Sequence, residues 1–243
     1  VSFNNLTITR GSYGNNGGGL YIYGSVTVAM SSCTIFENSA GQSGAGLFIA
    51  GSATDAPTVT MSLCTISENR ANYLGGGLCI TACLYCPSAT VTMTDCTISG
   101  NTAANYGGGL YIYPATIVTM TDCIISGNTV YNGFYGGLYV RDSFMAMTNC
   151  TISGNWGQHG AWPTRGGGIG ILGATVTMTD CTISGNRAGA FGGGLIIESA
   201  TISMISCIIS ENTSVDGGGL YIGGHHAITS VTMTSCTISK NAA

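Results

Sequence analysis

The segment VTMTDCTISGN at 91–101 returns, nearly letter for letter, at 118–128, 176–186 and 231–241, and degenerate copies fill the intervals. A fixed-period repeat constrains a chain more than any local propensity does. Each copy is anchored on a cysteine, at Cys33, Cys64, Cys96, Cys123, Cys150, Cys181, Cys207 and Cys236, with Leu6 taking that place in the first. A second block, GGGLYI at 17–22, 107–112 and 217–222, follows the first, with variants such as GAGLFI at 44–49 and GGGIGI at 166–171. The unit runs to about thirty residues, a module too small to bury a core alone, so it must stack on its neighbours.

Within the unit the side chains alternate. Val91, Met93, Cys96 and Ile98 point one way and Thr92, Thr94, Thr97 and Ser99 the other, which is the period of a strand. Two consecutive polar positions, Thr94 and Asp95, mark a bend, and GGGLYI supplies another strand with Leu110 and Ile112 inward and Tyr111 outward. This predicts three short strands per coil. Helix is excluded by the missing 3.6 period, the β-branched content and the recurrent glycine triplets. Equivalent strands of successive units then pair in parallel. With the right-handed crossover rule, the fold is all-β: a right-handed parallel β-helix of about eight to nine coils, one solenoid over 1–243. At about 4.8 Å per rung, eight coils make a rod on the order of 40 Å long.

Stacking turns sequence columns into ladders. Methionines from Met30 to Met233 and isoleucines from Ile8 to Ile238 line the interior beside the cysteines. Asn38, Asn69, Asn101, Asn128, Asn155, Asn186, Asn212 and Asn241 form a further column at a turn, where stacked amides bond from rung to rung. Eight of the 11 cysteines lie in the inward ladder and read as small buried hydrophobes. The other three, Cys79, Cys83 and Cys86, fall around an insertion at 81–90, where a loop-pinning disulfide is expected in an oxidising compartment. Their Cys-x-x-Cys has no second pair or nearby His, so neither metal nor other cofactor is expected.

Only 7% of residues are charged, against roughly 25% in ordinary chains. Six basic residues argue against a nucleic-acid surface, and 44% apolar content argues against disorder. No apolar run approaches the roughly 18 residues of a membrane-spanning helix.

Asp95, Asp122 and Asp180 share one column with Asn149. Paired carboxylates there would suit calcium or the acid and base of a polysaccharide lyase or hydrolase. Chemistry needs a unique constellation, however, and these residues follow the repeat at its bend. They read as turn residues, and the chain as a non-enzyme with no catalytic residue. The largest interruption before a Gly block is WGQHGAWPTR at 156–165, which carries Trp156, His159, Trp162 and Arg165. With Tyr111 and Tyr139 of an outward column (Tyr21, Phe48, Tyr111, Tyr139, Tyr221, broken by Cys79, Gly170 and Ile196), these are the candidate contacts for a glycan or a partner. Loop packing and strand propensity account for the same residues equally well. His225 and His226 read as solvated loop residues. Asn5 and Asn149 lie in N-glycosylation sequons at exposed positions, and Asn212 also matches but sits in the ladder.

Gly-Gly-Gly-Leu paired with Ile-x-x-Asn resembles the repeat signature of chlamydial polymorphic outer-membrane-protein passengers and related β-helix surface proteins, across essentially the whole chain. The resemblance implies a secreted or surface-displayed rod, often an adhesin, with no catalytic residues to transfer. The rows Thr92/Thr94, Thr119/Thr121, Thr177/Thr179 and Thr232/Thr234, interrupted by Ala29, Ala146 and Ile205, resemble the ice-binding face of several antifreeze proteins, and the same hydroxyls suit O-glycosylation. The expectation is therefore a non-catalytic extracellular or cell-surface rod, structural or adhesive, in a fibre or long passenger. Its partners would be glycans or cell-surface molecules and other copies stacked end to end, because both ends at Val1 and Ala243 read as uncapped. An ice binder and a carbohydrate-active enzyme are the alternatives.

Overall fold

The computed structural model describes residues 1–82, 87–158, 165–224 and 228–243. A full coil contributes one strand to each of four parallel sheets, exemplified by Ala89–Thr94 in sheet A, Thr97–Ser99 in sheet B, Thr102–Ala103 in sheet C and Leu110–Tyr113 in sheet D. Sheets A and B hold nine strands each, sheet C seven and sheet D eight. The repeat registers as its sequence columns predict, with Met30 beside Met61 and Met93 beside Met120 in A, and Ile66 beside Ile98 in B. One expectation is corrected: a coil has four strands, not three. The extra one, in sheet C, is two residues long, too short to leave an alternation in the sequence.

Corners between sheets are made by residues with left-handed backbone. Asn5, Ser32, Leu63, Asp95, Asp122, Asn149, Asp180, Ser206 and Ser235 all have φ between 51° and 53° and turn the chain from A to B. Asn and Asp tolerate that region, whereas Leu63, 61% exposed, occupies it at a cost of about 1–2 kcal/mol. Leu63→Asn is thus expected to raise unfolding stability by about 1 kcal/mol in urea titration, since little apolar burial is lost.

The cysteine after each corner does more than fill space. Every ladder thiol donates to the carbonyl two residues before it, at 3.2–3.4 Å, from Cys33 to Ser31 through Cys236 to Thr234. Each of these carbonyls already accepts a backbone N–H from the preceding rung, as Thr121 does from Asp95, so the thiol adds a second, weak donor at the corner. All eight are free thiols.

At the next side the asparagines interlock. Asn128 Nδ2 donates to Asn155 Oδ1 (3.0 Å) and to the Ile98 carbonyl (2.9 Å), and its Oδ1 accepts from the Nδ2 (3.0 Å) and backbone N–H (2.9 Å) of Asn101. The pattern repeats from Asn38 to Asn241, and Asn69, Asn101, Asn128, Asn155, Asn186 and Asn212 are wholly buried. Amide polarity deep in the rod is tolerated because no buried side-chain nitrogen or oxygen among the described residues lacks a partner.

The ladder also explains the glycine triplets. A Cβ on Gly109 would lie 2.8 Å from Asn128 Cγ and from the Gly137 carbonyl oxygen. The third glycine of the block is where the chain passes over the amide ladder, so the Gly block and the Asn belong to one packing unit.

Candidate functional site

Sheet D presents the outward column Tyr21, Phe48, Cys79, Tyr111, Tyr139, Gly170, Ile196 and Tyr221 in register. Tyr111 and Tyr139 occupy adjacent rungs with ring centroids 5.5 Å apart. A second aromatic row runs alongside on the residues just before the Gly blocks: Tyr106, Phe134 and Phe191. Tyr106 lies 5.5 Å from Tyr139, and Phe191 lies 5.0 Å from Tyr221.

Tyr135 ties the rows together. It replaces the first glycine of its triplet and keeps the positive φ (68°) of that column, an arrangement that costs a tyrosine backbone strain. Its ring is 5% exposed and stacks on Tyr139 at 4.6 Å and 5°. The ring takes the space over Gly170, where a Cβ would run into its Cδ1. The gap at Gly170 is therefore the receptor for a side chain from the preceding coil. Burial pushes the phenols of Tyr111, Tyr135 and Tyr139 above the usual tyrosine range, so they stay protonated.

Arg165 closes this patch. Its guanidinium stands 5.3 Å from the Phe191 ring centroid and 6.0 Å from that of Phe134, and pairs with Glu198 at 3.2 Å. Glu198 is only 8% exposed, so the Arg165 guanidinium offsets the cost of desolvating its carboxylate. Arg141, Arg165, Glu198 and the tyrosines line a depression of about 190 Å³.

The structure separates the other predicted contacts from this patch. Trp156 lies outward on sheet C, paired with Thr129 and Arg187, and its ring centroid is 5.8 Å from the Arg187 guanidinium. His159 and Trp162 lie outside the described residues, as do Cys83, Cys86, His225 and His226. The expected pairing of Cys83 with Cys86 or Cys79 falls on residues outside those described, and Cys79 is a free thiol, fully buried against Phe48, Ala50 and Tyr111. Its outward-facing slot on sheet D is roofed by neighbouring rings, which also raise its thiol pKa by burial. Asn5 and Asn149 are exposed at A-to-B corners, Asn149 donating to Asp122 Oδ1 at 2.6 Å, whereas Asn212 is sealed in the ladder.

Asp95, Asp122 and Asp180 all sit in the left-handed corner column, and no three His, Cys, Asp or Glu among the described residues gather in a metal-binding group. No described helix is long and apolar enough to cross a membrane. Sheet A offers three outward columns of mostly Thr, Ser and Ala with no charged residue in its strands, broken by Ile117, Phe144 and Ile205, all exposed.

These features define a repeat solenoid with graded surface strips along its length. A family model for the right-handed beta helix region matches residues 1–114 and 84–243, and the chain belongs to that family. No curated protein and no solved structure matches it. One β-helix scaffold hosts both enzymes and non-enzymes, so function rests on the surface.

Proposed function

We propose that the chain is a non-catalytic, extracellular rod with a structural or adhesive role, of the kind its resemblance to chlamydial surface passengers implies. The observation that carries this reading is the corner column. Asp95, Asp122 and Asp180 share φ of 51–53° with Asn149, Ser206 and Ser235, so their carboxylates stand at a left-handed corner that Asp and Asn tolerate well. What departs from the repeat is aromatic and cationic surface around Trp156 and Arg165, the composition of a contact face. Rods of this kind meet little charge repulsion on stacking at a net charge of −4. Exposed Asn5 and Asn149 and the hydroxyl rows are the sites where sugars would attach.

The test is a cleavage assay on a panel of acidic and neutral polysaccharides, with Asp95→Asn and Asp122→Asn alongside the parent chain. No release of product by any of the three is expected. Product released by the parent and lost in both variants would establish an enzyme and overturn the reading. A second reading, ice binding, is favoured by the in-register, uncharged hydroxyl columns of sheet A; thermal hysteresis abolished by Thr92→Lys and Thr119→Lys would select it.

A further inference from the structure

We propose that sheet C carries a binding site for an anionic saccharide, with Trp156 and Arg187 as its anchors. The proposal rests on the adhesive reading and names what the rod holds. The outward column of sheet C reads Ser12, Ser39, Arg70, Thr102, Thr129, Trp156 and Arg187, followed by Thr213. Its charges are all positive, on a protein whose net charge is negative.

Three observations converge on Trp156 and Arg187. First, a concavity of about 380 Å³ opens between Trp156, Arg187, Thr213, Ser214 and Val215, and no acidic residue among the described residues lines it. That volume suits about one or two sugar rings. Second, Arg187, like Arg70 of the same column, forms no ion pair among the described residues, whereas Arg10, Arg141, Arg165 and Lys240 are each matched with a carboxylate. Third, the corner column beside sheet C is acidic at Glu37, Glu68 and Glu211 but glycine at Gly100, Gly127, Gly154 and Gly185. The acids are thus missing from the stretch of coils that carries Trp156 and Arg187, and Glu211 at its far end is engaged by Lys240 at 3.9 Å.

The chemistry that fits is specific. A guanidinium takes a carboxylate or sulfate through two parallel N–H donors, and an indole face, 39% exposed here, packs on the C–H face of a pyranose. Thr129 and Thr213 flank the pair at one rung each, about 4.8 Å apart, so a linear oligosaccharide would lie along the rod axis. Carboxylated and sulfated sugars share this chemistry, and the experiment separates them.

Isothermal titration of the whole chain with a heparin tetrasaccharide (sulfated), a hyaluronan tetrasaccharide (carboxylated only) and maltotetraose (uncharged) is the test. Binding of at least one anionic tetrasaccharide is expected, with none of maltotetraose. Arg187→Ala and Trp156→Ala should each weaken it at least tenfold, Arg187→Lys less, and Arg10→Ala not at all, with unchanged melting temperatures showing that the variants fold. Absent binding, equal binding of maltotetraose, or affinity undiminished in Arg187→Ala and Trp156→Ala would overturn the site. None of those results bears on the cleavage assay, so this site can fail while the non-catalytic rod stands.

Discussion

Asn128→Ala is expected to lower unfolding stability by about 4 kcal/mol, although it removes a small side chain and creates no large cavity. The substitution deletes four hydrogen bonds at once. Some partners keep another bond: Asn155 Oδ1 still accepts the Asn128 backbone N–H, and Asn101 Nδ2 still donates to the Ile66 carbonyl. The Asn101 backbone N–H loses its acceptor in a dry interior, while the Ile98 carbonyl keeps its place in the sheet ladder. A stranded donor costs about 1–3 kcal/mol, and the broken amide stack adds to that. Because coils couple only to nearest neighbours, hydrogen exchange should accelerate most around residues 98–101 and 155. A loss below about 1 kcal/mol in denaturant titration would show that the ladder is decoration.

Gly109→Ala should be about as damaging, at roughly 3–4 kcal/mol, for a single added methyl. The obstacles are Asn128 Cγ and Nδ2 and the Gly137 carbonyl oxygen, each 2.8 Å from the new carbon. None is the free end of a flexible side chain, since the amide is fixed from both neighbouring rungs. The double variant Gly109→Ala with Asn128→Ala is expected to lose less than the sum of the singles, because one obstacle has gone. Strict additivity in thermal or urea unfolding would contradict the claim that the Gly block and the Asn form one packing unit.

The strands of sheets A, B and D were legible because each spans enough residues to show an alternation, and the repeat multiplied that signal nine-fold. Sheet C was not, since a pair such as Thr102–Ala103 has no period to read. The Asn column was legible as a ladder, but its packing against Gly109 was not, because the two sit in different coils. The site divides in the same way. Tyr111 and Tyr139 share a column in the sequence, and the structure sets their rings side by side. Tyr106, Phe134 and Phe191 were missed, although an aromatic directly before a Gly block was a signal in plain view. Gly170 reads in the sequence only as a break in the tyrosine column, and only the stacking shows that Tyr135 fills it. Trp156 and Arg165 were grouped because one loop joins them; their rungs place them against different neighbours, Arg187 and Glu198.

The central claim, a surface-displayed rod, is tested most directly by immunogold electron microscopy of intact source cells with antibodies raised against residues 1–243. The account predicts gold outside the cell envelope, on straight projections of uniform width. Gold confined to the cell interior, with none at the surface, would contradict it.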